Sequence, residues 1–236
     1  MPSSADTAAV VVAGGAGLRF GGTVRKQYLE LAGEPLLLHA VRPFLAHPRI
    51  ARTIVVLPAA DLAEPPPWLA PLGVELAAGG AERGDSVHAG LLRVPAELVY
   101  VLVHDGARPF ATAAVIDRVL DACSATAGAI AAVPVVDTLK SADAEGRITG
   151  TPDRAGLWQA QTPQGFPREG LLRACELARA EGARATDDAA LFARYGGTVR
   201  VVQGDRANLK VTLPEDLALA EAIAARRASR PPGAPA

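Results

Sequence analysis

Residues Ala9-Val10-Val11-Val12-Ala13 run without a break into Gly14-Gly15-Ala16-Gly17-Leu18-Arg19-Phe20-Gly21-Gly22. The first five are small or β-branched and carry no polar side chain, the pattern of a strand buried on both faces. The glycines that follow let backbone N–H groups approach an anion closely, as at the phosphate sites of α/β sheets. Two common motifs fail here. In G-x-G-x-x-G, Gly15 and Gly17 match but Phe20 takes the third position, and Leu57-Pro58 closes the second predicted strand where an acid would hold a ribose. In the Walker loop, Gly17 and Gly22 have the right separation but Thr23 stands where Lys is required. What remains is a longer loop carrying Arg19, with Lys26 shortly after it. Two cations on a glycine loop suit a triphosphate and neutralise charge that builds on phosphorus during transfer.

Outward from this loop, short β-branched runs alternate with helical stretches. Strands are predicted at Thr53–Leu57, Val74–Ala77, Leu98–Val103, Ile130–Val133 and Thr198–Val202. Helices are predicted at Pro35–Ala46, Glu82–Leu92, Thr112–Cys123 with Thr112 as cap, Arg168–Glu181 and Asp187–Tyr195. Thr212-Leu213-Pro214-Glu215 reads as a capping box that opens a last helix reaching Arg227. Proline-rich Ala63–Pro71 reads as loop. The alternation predicts an α/β fold, a mostly parallel sheet with helices on both faces. It breaks between Val135 and Thr162. There Asp137–Lys140 and Gly156–Gln159 flank a polar turn region at Ala144–Asp153, predicting a projecting hairpin arm. Leu139, Leu157 and Trp158 on that arm need a covering surface, so a homodimer is expected. The expected organisation is one domain over residues 1–228, with the arm at about 135–162, and a disordered tail at 229–236.

Of 236 residues, half are hydrophobic and 21% charged, which excludes general disorder. Aromatics are only 4%, so the core must be built from Ala, Val and Leu. A net charge of −1 lacks the basic footprint of a nucleic-acid binder. No apolar run approaches the ~18 residues that span a bilayer, and Met1–Thr7 carries Asp6 and no basic residue. Neither a membrane anchor nor a targeting segment is expected. Cys123 and Cys175 cannot form a disulfide framework, which points to a reduced, cytoplasmic setting. Among 24 basic residues, Lys stands only at 26, 140 and 210. Where Arg is the default cation, a lysine marks a place for a compact point charge, and Lys26 and Lys210 both stand beside strand–loop junctions.

Strand Leu98–Val103 ends in His104-Asp105-Gly106-Ala107-Arg108-Pro109. The carboxyl end of a central strand is where open α/β sheets bind ligands. Asp105 could hold a metal or a substrate hydroxyl and Arg108 a phosphate, or the two could be a structural pair. Gly79-Gly80-Ala81-Glu82-Arg83-Gly84-Asp85-Ser86 is a second glycine loop. Its amides and the Ser86 hydroxyl either read a base edge or simply cap a helix. Thr162-Pro163-Gln164, Thr186-Asp187-Asp188 and Asn208–Thr212 are polar clusters that could also be caps. The histidines at 39, 47, 88 and 104 and the two cysteines lack zinc-ligand spacing.

The ordered set AGGAGLRFGG, RKQYLELAGEPLL, GGAERGDSV, VLVHDGARP, PVVDTLK, DRAGLWQAQTPQGF, ATDDA and NLKVTLPEDL resembles the cytidylyltransferases of the non-mevalonate isoprenoid pathway, over Ala8 to Ala225. The resemblance implies a Rossmann-like nucleotidyltransferase fold and a homodimer joined through the β-arm. It implies transfer of CMP from CTP, bound with Mg²⁺, to 2-C-methyl-D-erythritol 4-phosphate. Ala13, Gly14, Gly15, Gly17, Gly80 and Ser86 would line the CTP site, with Arg19 and Lys26 as transition-state cations. Asp105, Arg108, Thr162, Thr186 and Lys210 would face the acceptor, joined by Thr138 and Arg154 from the partner's arm. Arg154 and Lys210 would orient the attacking phosphate; no metal-ligating residue is assigned. Arg25 stands where the family commonly has Pro, Gly14 and Gly106 where it often has Ala, and Phe20 where it often has Met. At this length, the cyclase domain fused to this enzyme in some bacteria is not expected. Three alternatives stay open at this level: a cytidylyltransferase for another polyol phosphate such as ribitol 5-phosphate, an NAD-dependent oxidoreductase, and a non-catalytic nucleotide sensor.

Overall fold

The structure is a computed structural model that describes residues 5–15 and 25–229. In chain order the elements are β1 (Thr7–Val12), a 3-10 turn (Lys26–Tyr28), β2 (Glu30–Leu31), β3 (Glu34–Pro35), α1 (Leu36–Leu45), β4 (Ile50–Leu57), α2 (Ala59–Leu62) and a 3-10 helix (Pro67–Leu72). Then come β5 (Glu75–Ala78), α3 (Arg83–Leu91), β6 (Tyr100–Asp105), α4 (Ala113–Ala122), β7 (Ala127–Pro134), β8 (Ser141–Ala142) and β9 (Ile148–Gly150). The chain continues through β10 (Trp158–Pro167), α5 (Arg168–Glu181), α6 (Asp188–Arg194), β11 (Thr198–Gln203) and α7 (Pro214–Ala228).

Seven strands form one sheet in the order β11-β7-β10-β6-β1-β4-β5. All neighbours are parallel except β10, which runs antiparallel to β6 and β7. The chain leaves β1 toward β4 and β5, then crosses back to place β6 on the other side of β1. The strand order therefore reverses at β1/β6, where such sheets open a crevice for ligands. Val12 pairs with Asp105 in that register, so the first glycine loop begins beside the Asp105 carboxylate.

The apolar run of β1 is buried on both faces, as its sequence predicts. Val10 packs among Val87, Leu91 and Leu171 on one side. Ala9 and Val11 pack among Leu37, Val41, Phe44, Val115 and Ile116 on the other. Helices α3 and α5 cover the first face, α1 and α4 the second. With few aromatics, the layers approach closely: a Cβ on Gly90 of α3 would stand 2.4 Å from Val10 Cγ1. A methyl there would overpack the core.

Several local expectations change. Trp158–Pro167 is not the outer limb of an arm but a ten-residue strand of the main sheet. Its glutamines, Pro163 and Gly165 concealed it, because such residues are depleted from strands. Its ladder with β7 shifts register between Ala160 and Gln164, and the Thr162–Pro163 peptide is cis. The projecting hairpin is shorter: Ser141 pairs with Gly150 and Ala142 with Ile148. The Ala63–Pro71 stretch is partly helical, since proline suits the first turn of the 3-10 helix at Pro67. The cap of α7 is Leu213 rather than Thr212, and Asp216 closes it by accepting from Thr212 N at 2.7 Å and Leu213 N at 2.8 Å. Thr112 does cap α4, accepting from Val115 N.

Candidate active site

A cleft of about 630 Å³ opens at the carboxyl ends of β1 and β6. Ala13, Gly14 and Gly15 enter it from β1, Lys26 and Gln27 from the 3-10 turn, and Gly80, Arg83 and Ser86 from the β5–α3 junction. Asp105 and Gly106 form its floor, with Lys210 and Thr212 from the segment before α7. The two glycine loops touch: a Cβ on Gly14 would stand 2.9 Å from Ser86 Oγ, and one on Gly79 would stand 3.2 Å from Gly14 Cα. Glycine at these positions is what lets both loops share one wall. Ser86 Oγ accepts from Gly80 N and donates to Glu82 O, both at 3.2 Å, so this hydroxyl shapes its own loop. Buried Gln27 donates through Nε2 to Ala13 O at 2.9 Å, holding the Lys26 turn to the end of β1.

The floor is an ion cluster. Asp105 Oδ1 takes Arg83 Nε at 3.0 Å, and Oδ2 takes Lys210 Nζ at 2.9 Å with Arg108 Nε at 3.6 Å. Burial alone would raise the Asp105 pKa, but Arg83, Lys210 and Arg108 outweigh it and hold the carboxyl well below the usual range. Arg83 also reaches Asp188, Nη1 to Oδ2 at 2.8 Å, at an angle that leaves this oxygen without a proper hydrogen bond. Burial opposes the Arg83 charge, yet Asp188 and Asp105 raise its pKa further.

Behind Asp105 lies a buried hydrogen-bonded chain. Asp105 N donates to Thr162 Oγ1 at 3.0 Å, which contacts His104 Nδ1 at 3.0 Å, while His104 Nε2 lies 3.0 Å from Arg108 O. One tautomer satisfies all three: Thr162 O–H donates to Nδ1, and Nε2–H donates to the carbonyl. Burial lowers the His104 pKa to about 4, so the ring is neutral.

The cleft thus gathers the predicted Ala13, Gly14, Gly15, Lys26, Gly80, Ser86, Asp105 and Lys210. Arg108 and Thr162 buttress Asp105 from behind. Arg108 Nη1 donates to Asn208 O at 2.9 Å. Thr186 lines a smaller neighbouring cleft with Arg83 and Asp188. Thr138 and Arg154 stand on the exposed arm, where Arg154 Nη1 donates to Val136 O. Gly17 and Arg19 lie outside the described residues. Sequence reasoning missed Arg83 and Gln27. Arg83 carried a signal: a cation in the first turn of a helix opposes the helix dipole and implies a compensating acid. Gln27 carried none, because its role depends on the approach of Ala13.

Comparison with known proteins identifies a family and a shared fold. Residues 7–226 match the 2-C-methyl-D-erythritol 4-phosphate cytidylyltransferase family (IspD). The enzyme of that name from Prochlorococcus marinus (strain MIT 9313) is 42% identical, over 93% of this chain and 99% of its own. The one from Geotalea uraniireducens (strain Rf4) is 45% identical, over 91% and 95%. The crystal structure of the Thermus thermophilus enzyme superposes with a TM-score of 0.77 at 36% identity, covering 92% of this chain and 98% of that one.

Proposed function

The chain belongs to the 2-C-methyl-D-erythritol 4-phosphate cytidylyltransferase family, and from that premise we propose how its own residues carry the reaction. It is a cytidylyltransferase of the non-mevalonate isoprenoid pathway: CMP passes from CTP to 2-C-methyl-D-erythritol 4-phosphate and pyrophosphate leaves. The oxidoreductase alternative is thereby set aside. One observation carries the residue assignment: Lys26, the described glycines Gly14 and Gly15, the second glycine loop through Gly80 and Ser86, and Lys210 line a single cleft.

A phosphate oxygen of the acceptor attacks the α-phosphorus of CTP, and the bond to the β-phosphate oxygen breaks. With a second pKa near ~6, a phosphate monoester is largely dianionic at neutral pH, so no general base is needed. The two carboxylates of the described lining each already face cations, Asp105 meeting Arg83 and Lys210 and Glu82 meeting Arg184. The task is to bring two anions together in line and to stabilise the crowded phosphorus. We assign the triphosphate to Ala13, Gly14, Gly15 and Gly17, the base to Gly80 and Ser86, and transition-state charge to Arg19 and Lys26. Lys210 and the Asp105–Arg108–Thr162 unit would hold the acceptor, with Thr186 at its margin. Thr138 and Arg154 would come from the partner's arm. Exposed Val136, Leu139, Ile148 and Leu157 on the arm, with exposed Trp158 where β10 begins beside it, support a dimer that covers that arm.

We further propose Mg²⁺ as the companion of CTP. Among the described residues no group of three His, Cys, Asp or Glu could cage a metal. Asp105 is the acid on the cleft floor, and both its oxygens already face cations. That donor set fits an ion held mostly by phosphate oxygens and water, as Mg²⁺ prefers, and Asp105 is the residue that would face it from the cleft floor. When bound with CTP, such an ion would supply charge neutralisation for the departing pyrophosphate. We read residues 1–228 as one catalytic unit. A reducing, cytoplasmic setting is supported by Cys123 and Cys175, both free, whose burial raises their thiol pKa to about 11 and about 12. Among the described residues no helix is long and apolar enough to cross a membrane.

Pyrophosphate release tests the reading, with each nucleoside triphosphate set against 2-C-methyl-D-erythritol 4-phosphate and ribitol 5-phosphate. Turnover restricted to CTP with the methylerythritol ester is expected. Preference for ribitol 5-phosphate would overturn the acceptor assignment.

A further inference from the structure

Lys210 stands on a segment, residues 204–212, that has no regular secondary structure, yet its ammonium must meet Asp105 on the cleft floor. A stretch without a ladder of its own needs other partners to hold one conformation. Gly204 N donates to Ala132 O at 2.7 Å as the chain leaves β11. The next residue is gripped by one side chain from both directions: Gln161 Nε2 donates to Asp205 O at 2.8 Å, and Asp205 N donates to Gln161 Oε1 at 3.2 Å. This amide reproduces a backbone pairing at the place where the β10 ladder shifts register. Beyond it, Asn208 Nδ2 donates to Thr162 O at 2.8 Å, and Val211 N donates to Ala107 O at 2.9 Å.

Gln161 is only 6% exposed and does not line the cleft. Its grip also restricts its neighbour, since a Cβ on Gly204 would stand 2.3 Å from Gln161 Oε1. We propose that Gln161, accommodated by Gly204, is a positioning residue for the acceptor side of the reaction: it fixes the start of the segment that delivers Lys210 to Asp105. The proposal rests on the assignment of Lys210 to the acceptor phosphate. It follows that loosening Gln161 impairs use of the acceptor while leaving CTP binding intact, because the CTP wall is built from β1 and the β5–α3 junction.

The test uses the full chain and the variants Gln161→Leu, Gln161→Glu and Gly204→Ala. Three quantities are measured: kcat/KM for 2-C-methyl-D-erythritol 4-phosphate at saturating CTP, CTP affinity by calorimetry without acceptor, and amide hydrogen exchange. A displacement of about 1 Å in a positioning group costs up to ~10²-fold, so Gln161→Leu should lower acceptor kcat/KM by roughly 10- to 100-fold. CTP affinity should stay within about twofold, a few tenths of a kcal/mol. Gln161→Glu keeps the acceptor for Asp205 N but sets a carboxylate oxygen against Asp205 O, so at neutral pH it should also fall well short of the parent's acceptor kcat/KM. Exchange should quicken at Asp205 and Val211 and not in β1 or β6. Should Gln161→Leu fail to fold, Gly204→Ala carries the same expectations, because its methyl displaces the Gln161 amide. Unchanged acceptor kinetics in a folded variant, or equal losses for acceptor and CTP, would overturn the proposal. If the parent protein itself releases no pyrophosphate with this acceptor, the functional reading fails first. The exchange pattern then still reports whether Gln161 holds the segment.

Discussion

Lys210 Nζ lies 2.9 Å from Asp105 Oδ2, and the other oxygen of the same carboxylate takes Arg83 Nε at 3.0 Å. One buried acid therefore holds together cations that would otherwise repel one another. On the proposed reading, the acceptor phosphate would offer them a second anion at the same place. Removing the acid without its cations should be costly, as for any buried ion pair cut on one side. Asp105→Asn is expected to lose roughly 3 kcal/mol, the low end of that range, because Arg83 and Lys210 keep 30% and 38% of their side chains exposed. Urea denaturation above pH 5 is the measurement. The Asp105 pKa is depressed in the fold, so its contribution is complete above the ordinary carboxylate pKa and is lost as pH falls toward the folded value. A variant as stable as the parent would remove the argument for charge repulsion.

Lys26 and Arg19 are assigned to charge that exists only in the transition state. Loss of such a donor typically costs ~10²–10³ in rate. Lys26→Ala and Arg19→Ala should each lower kcat by that order while CTP affinity changes far less. Near-normal turnover in either variant would refute its assignment.

Buried neutral His104 makes stability depend on pH. Its folded pKa of about 4 lies below the unfolded value, so on acidification the unfolded chain takes up a proton that the native ring refuses. Stability should decline as pH falls from ~6.5 to about 4, by up to about 3 kcal/mol from this group, and hold steady above that window. The His104 ring proton resonances followed by NMR check the origin. A midpoint near 6.5 for this ring would contradict the buried chain through Thr162.

If the arm works across a dimer, Arg154→Ala and Lys26→Ala damage different halves of each site. Mixed dimers of the two inactive proteins should regain a fraction of parental activity, since some sites receive both intact groups. No recovery on mixing would mean that each site is built within one chain.

Much of this was legible in the sequence because it depends on local chemistry. An uninterrupted apolar strand ending in glycines must be buried and must turn sharply. Thr112 and the 168–181 helix follow from capping and periodicity, and the scarcity of lysine marks positions 26 and 210. What depends on long-range approach was hidden. Gln27 and Gln161 look like ordinary polar residues until Ala13 O and the Asp205 backbone arrive beside them. Strand β10 is hidden in the sequence because its polar residues, proline and glycine disfavour a strand in isolation, and only its place between β6 and β7 supplies the partners that make it one. Residue type and spacing alone determined the α/β alternation, the glycine loop and the choice of cations. Tertiary structure decided which carboxylate those cations surround and which amide holds the loop in place, because charge and hydrogen bonding act over a few ångströms of space and take no account of distance along the chain.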